Sequence, residues 1–174
     1  FNKRFWNENA GCLYDVVDED DDTIRPNQIY AVSLPFSLLP EEQEKAVVAL
    51  VEKELFVGCG LRSLTSNHSD YHGIYCGSLP KRDAAYHQGT AWGFLLGGFL
   101  SAYAKVHDHS PECTKELLSL LEPVRHHRTD NGCIGSISEI FDGDAPHNPR
   151  GCYAQAWSVG ETLRAYMQDV LPYM

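Results

Sequence analysis

The 174 residues are enough for one domain with a real core, and 43% hydrophobic with 22% charged residues excludes a disordered or fibrous chain. A net charge of −10, from 24 acidic against 14 basic residues, withholds the positive field that phosphate backbones attract, which argues against a nucleic-acid partner. The six cysteines form no C-x-x-C pair and read as reduced thiols, an expectation of a cytoplasmic chain. The chain opens at Phe1 with neither an initiator Met nor a signal peptide, so it is expected to be a processed product or a piece of something longer.

In chain order, a polar loop over 10–24 leads into RPNQIYAVSLPFSLL from Arg25, apolar enough to read as an inner helix. EEQEKAVVALVEKELF follows Pro40, with acidic residues in its first turn, Val47, Leu50, Val51 and Leu55 on one stripe, and Gly58 beyond its end. A second long loop covers 58–85. AAYHQGTAWGFLLGGFLSAYAK, from Ala84 to Lys105, then reads as one inner helix. Trp92, Leu95, Leu96, Phe99, Tyr103 and Val106 recur at three- and four-residue steps, and Gly89, Gly93, Gly97 and Ser101 form a second stripe. Glycine in a helix costs roughly 1 kcal/mol relative to alanine, so several on one face imply a closely packed backbone there. His87, Gln88, Thr90 and Ser101 interrupt the run, and no basic flank frames it, so no membrane span is expected.

SPECTKELLSLLEPV reads as an outer helix capped by Ser110, with Pro111 at its first position. A third long loop, 129–151, precedes the last inner helix, CYAQAWSVGETLRAYMQDVL from Cys152. No strand-like alternation persists. The fold class expected is therefore all-α, a single domain over 1–174 with alternating inner and outer helices. The inner segments begin RPNQIYAV, AYHQGTAW and CYAQAWSV, each with a glutamine in the expected first turn, which reads as a weak repeat of helical hairpins. The three loops, rich in Gly, Asp, Asn, Ser, Tyr and His, are then expected to converge on the N-terminal ends of the inner helices.

That arrangement predicts a polar-mouthed pocket. Arg25, Asn27, Gln28, His87, Gln88 and Gln155 supply donors and acceptors, and Trp6, Trp92 and Trp157 supply flat walls, a combination suited to a neutral, hydroxyl-rich ligand such as a sugar. Taken singly, each glutamine can also satisfy a local helix end and each tryptophan can fill the core.

GCLYDVVD, RPNQIYAVSLPFSLL, YHQGTAWGF and GSISEIFDGDAPHNPRGCYAQAWSVGE together resemble the C-terminal amylo-α-1,6-glucosidase domain of glycogen debranching enzymes. The resemblance covers nearly the whole chain and implies part of an (α/α)6 barrel. It implies hydrolysis of the α-1,6-linked glucose at a branch point of glycogen or limit dextrin, with no metal and no cofactor. Glu139, in SISEIFDGD, matches the position of the family's general base. Asp142 and Asp144 are nearby alternatives, and a structural role for Glu139 would be pairing with Arg150. No segment matches the family's general acid, which is expected outside this chain. Asp18 is the one loop carboxylate weighed for it, with orientation of Arg25 as its alternative role. The resemblance carries Arg25, Asn27, Gln28, His87, Gln88, Trp92, Gln155 and Trp157 over as substrate contacts, while Arg82 and Asp83 read as a structural pair.

Three rivals remain. A carbohydrate-binding or regulatory module would keep the pocket without catalysis. A sugar isomerase would need central histidines, of which only His87 qualifies. A zinc site from HDH at 107–109 and HH at 126–127 lacks cysteines at ligand spacing. An incomplete barrel is further expected to self-associate or to need its missing half.

Overall fold

Helices with small residues on one face, joined by loops that return to a common end, set this architecture. The computed structural model describes residues 1–174. The chain opens with a short helix α1 (Asn2–Phe5) and a hairpin of β1 (Trp6–Asn7) and β2 (Cys12–Leu13). A 3-10 turn over Pro26–Ile29 leads into α2 (Tyr30–Ser33), followed by α3 (Glu41–Leu55), β3 (Leu61–Arg62), α4 (Leu79–Tyr86) and β4 (Ala91–Trp92). Then come α5 (Leu95–Val106), α6 (Pro111–Asp130), β5 (Ile140–Phe141), β6 (Pro149–Arg150) and α7 (Ala156–Ala165). A π turn over Tyr166–Val170 and a 3-10 turn over Leu171–Tyr173 close the chain. The protein is helix-rich with a few short strands, and no helix is long and apolar enough to cross a membrane.

Helix α5 is the centre of the core. Leu95, Leu96, Phe99, Leu100 and Ala102 are buried, and α5 packs against α7, α2, α3 and α6. Small residues in α5 and just before it face α7: a side chain at Gly97 would meet the Glu161 carbonyl at 2.6 Å, and one at Gly93 the Ser158 hydroxyl at 2.9 Å. Ser101 donates to Asp169 at 2.6 Å and accepts from Arg164 at 3.1 Å. Helices α3 and α6 are amphipathic. In α3 the buried residues are Glu44, Val47, Val48, Val51 and Leu55, with Glu41 and Glu42 in the first turn. In α6 Ser110 caps the start by accepting from the Cys113 N–H at 3.1 Å.

The structure departs from the sequence reading in four places. The segment 84–105 is not one helix. It is the end of α4, a turn at Gly89 (φ +143°), the strand β4 and then α5, so Tyr86, His87 and Gln88 lie at a helix C-terminus. The break is built in, because a side chain at Gly89 would meet the His72 carbonyl at 2.7 Å and Thr90 turns its hydroxyl back to the Ala85 carbonyl. The segment from Arg25 stays helical only to Ser33, since Pro35 pushes Leu34 into extended backbone (ψ 154°). Helix α6 runs on through Pro123 to Asp130, because Val124 and His127 continue its buried face. The loops over 58–85 and 129–151 contribute β3, β5 and β6 to an antiparallel sheet ordered β3-β4-β5-β6, whose two-residue strands are too short to show alternation. The glutamines are accordingly not equivalent: Gln28 lies in the 3-10 turn, Gln88 after α4, and Gln155 at the N-cap of α7.

A methyl group at Gly97 has to push α7 away. Gly97→Ala is expected to lower stability by about 1–3 kcal/mol despite alanine's better helix propensity, measured by urea unfolding. An unchanged or raised midpoint means that α5 and α7 are not in close contact.

Candidate active site

The sheet forms where the loops meet. Leu61 pairs with Trp92, Trp92 with Ile140, and Ile140 with Arg150, so β4 carries a tryptophan beside the strand that follows Glu139. The β5–β6 hairpin is locked by Asp142, a fully buried carboxylate gripped by Arg150 through Nε at 3.0 Å and Nη2 at 2.8 Å. Asp142 also accepts from the Tyr75 N–H at 2.8 Å, which ties the second long loop to the third. Arg150 therefore pairs with Asp142 and not with Glu139. Asp144 accepts from the Tyr71 hydroxyl at 2.9 Å, and burial followed by this bond pushes the Tyr71 phenol up to about 12.

Glu139 sits at the open end of the same hairpin. Its N–H donates to the Cys152 carbonyl at 2.8 Å, and its carbonyl accepts from the Gly93 N–H at 3.1 Å. The carboxylate is half-buried. Oε2 accepts from the Cys152 N–H at 2.9 Å, and Oε1 accepts from the Tyr86 hydroxyl at 2.5 Å. Burial, and then the bond to Glu139, hold the Tyr86 phenol well above its ordinary range, so it stays a donor. Each carboxylate oxygen keeps a second lone pair for a proton or a water.

Across the Tyr86 and Trp92 rings lies a cavity of about 340 Å³, lined by Arg25, Pro26, Asn27, Ser63, His87, Trp92, Phe94, Leu95 and Trp157. Its walls are aromatic. His87 stacks on Trp92 with centroids 5.2 Å apart and an interplanar angle of 5°. Trp157, 45% exposed, stacks on Phe94 at 4.5 Å and meets Trp92 edge-on at 5.8 Å. Its polar edge is Arg25, whose Nη1 donates to the Ser63 and His87 carbonyls at 3.0 and 2.9 Å and whose Nη2 donates to Gln88 at 2.8 Å.

Five of the residues expected at a sugar pocket thus come together: Arg25, Asn27, His87, Trp92 and Trp157. Gln88 stands behind them as the partner of Arg25. Gln28 is buried and spent on backbone, accepting from the Leu13 N–H at 3.4 Å and donating to the Arg25 carbonyl at 3.1 Å, and it lines a neighbouring cavity of about 240 Å³. Gln155 and Glu139 are not in the wall of the aromatic cavity, and Trp6 belongs to the β1–β2 hairpin packed on the core. Asp18 pairs with Arg4 at 2.8 Å and is 85% exposed; the carboxylate beside Arg25 is Asp15, at 3.7 Å. Arg82 and Asp83 form no ion pair: Arg82 lies over the Tyr75 ring, 5.9 Å from its centroid. No cluster of three or more His, Cys, Asp or Glu side chains is placed to hold a metal ion. Sequence reading missed Asp15, Ser63 and Phe94, and with Tyr86 it overlooked a residue inside a motif it had already singled out. Compared with known families, residues 1–164 match the one described as amylo-alpha-1,6-glucosidase.

The loop that carries Glu139 hangs on a histidine. His127 is buried near the end of α6, accepts the Ser138 N–H at Nε2 (3.2 Å), and meets the Phe141 ring edge-on. Burial depresses its pKa below 6.5, so the folded state prefers the neutral ring. Its contribution to stability is whole above pH 6.5 and is lost as the pH falls from there through the depressed folded value. Wild-type stability is expected to drop as unfolding is followed below pH 6.5, and His127→Gln, which keeps an acceptor but cannot titrate there, is expected to flatten that drop. Equal slopes for both proteins would remove His127 as the cause.

Proposed function

Since the chain belongs to the amylo-alpha-1,6-glucosidase family, a glycoside hydrolase family of glycogen debranching, we propose that it forms the base side of a site that hydrolyses α-1,6-linked glucose at branch points. The observation that carries the reading is Glu139: a half-buried carboxylate with both oxygens held by donors, next to an aromatic cavity edged by Arg25, Asn27 and His87. Glucose stacks its apolar face on Trp157, the exposed ring of the wall, and its hydroxyls bond to Asn27 and His87. Arg25 has its donors turned to protein carbonyls and Gln88, so it shapes the pocket edge and orders the loops. Gln28 holds the 3-10 turn that presents Asn27, and Gln155 starts the helix that presents Trp157.

Hydrolysis by inversion needs a base that accepts a proton from the attacking water and an acid that protonates the departing O6, with the carboxyl groups about 6.5–9.5 Å apart. Glu139 takes the first role. No Asp or Glu lines the aromatic cavity, and in this reading the acid is supplied by sequence outside this chain. The helices α2, α5 and α7 then form inner members, and α3 and α6 outer members, of an (α/α)6 barrel completed elsewhere. The compartment in this reading is the cytoplasm, consistent with six free thiols. The missing carboxylate also favours a second reading, a module that binds branched glucan without cleaving it.

Glucose release from a branched limit dextrin, measured for this chain and for a longer form that includes it, separates the two. Glu139→Gln is expected to cut turnover of the active form by at least about a hundredfold while malto-oligosaccharide binding is retained. A longer form that binds but releases no glucose supports the binding module instead. Trp157→Ala is expected to weaken malto-oligosaccharide binding by about tenfold in either case, and unaltered affinity by calorimetry places the sugar elsewhere.

A further inference from the structure

We infer that Tyr86 is a positioning residue for Glu139, fixing the plane of its carboxylate through a hydroxyl bond and coupling that plane to the Trp92 wall of the sugar cavity. The inference rests on the assignment of Glu139 as the base. Of the two donors to the carboxylate, the Cys152 N–H is main chain and persists whatever side chain stands there. Tyr86 is the side-chain donor, at 2.5 Å on Oε1. A glutamate side chain is otherwise free to turn about its terminal torsion. With one donor on each oxygen, rotation breaks a charge-assisted bond, and the two remaining lone pairs keep fixed directions.

The phenol that does this is itself held from several sides. Its main-chain carbonyl accepts from the Trp92 indole N–H at 3.0 Å. Its ring meets Trp92 edge-on at 4.6 Å, lies against His87 at 4.9 Å, and tilts against Tyr75 at 5.7 Å. Tyr75 is anchored in turn through its N–H to Asp142, the buried acid of the hairpin that carries Glu139. Tyr86 therefore closes a ring of contacts from the sugar wall to the base and back through the hairpin. On the other oxygen the backbone passes close by, so that a side chain at Gly151 would meet Oε2 at 2.5 Å.

The reaction to follow is hydrolysis of α-glucosyl fluoride by the form active on limit dextrin. Fluoride departs without a general acid: water attacks the anomeric carbon, the C–F bond breaks, and the proton of the water passes to Glu139. Tyr86→Phe removes one oxygen and keeps the ring. It is expected to lower kcat by about 10- to 100-fold with KM within about twofold. In the Glu139→Gln background the same change is expected to add nothing, because Tyr86 acts through that carboxylate. Tyr86→Phe keeps the ring against Trp92, His87 and Tyr75, and an unfolding midpoint like that of the wild type shows that the loss is not one of folding. A wild-type kcat in Tyr86→Phe, or an equal loss in both backgrounds, overturns the role of Tyr86. Full activity of Glu139→Gln overturns instead the base assignment on which the inference rests.

Discussion

The loop end of this protein depends on one ion pair with a buried carboxylate. Asp142 has no contact with water, and Arg150 reaches it through two guanidinium nitrogens across the β5–β6 hairpin. A buried carboxylate without its partner is costly, so the two strands stay in register as long as the pair is intact. Register here has a chemical meaning. One residue before β5 is Glu139, and two residues after β6 is Cys152, whose main chain bonds both the backbone and the carboxylate of Glu139. A slip by one residue would turn Glu139 to the other face of the hairpin.

The same pair recruits the other loops. Asp142 accepts from Tyr75, and Gly143 lies directly against the Gly89 carbonyl, where any side chain would collide with main chain. The loops over 58–85 and 129–151 and the turn after α4 are thus joined at one end of α5 and α7. Close packing of α5 on α7, through Gly93, Gly97 and Ser101, brings Phe94 and Trp157 into the stack that walls the cavity. Local glycine placement, helix packing and the aromatic wall are one chain of cause.

Much of this was legible in the sequence, and the misses have physical reasons. The amphipathic stripes of α3 and α6 and the Ser110 cap have strong local signals, and both helices form. The small-residue stripe correctly implied a backbone against α5, although Gly89 and Gly93 both lie before that helix. The sheet was invisible because two-residue strands have no period to detect, and because its pairing depends on contacts between distant loops. At the site, Arg25, Asn27, His87, Trp92 and Trp157, which the sequence singles out, line one cavity. Gln28 was misleading for an instructive reason. A glutamine beside a helix start meets free backbone groups first, and these consume both ends of its amide.

The polar cluster at the head of the most apolar segment then has a physical explanation. Tyr86, His87 and Gln88 end α4, and Trp92 belongs to a strand, so the sequence YHQGTAW spans a reversal of the chain at Gly89. That reversal folds Trp92 back on Tyr86, where its indole N–H meets the Tyr86 carbonyl and its ring meets both Tyr86 and His87. One side of the motif faces the cavity through His87 and Trp92, and the other faces Glu139 through the Tyr86 hydroxyl. A continuous helix would have spread these side chains over about two turns and pointed them in different directions. The break gathers into one short segment an aromatic edge for the cavity and a hydroxyl donor for the Glu139 carboxylate.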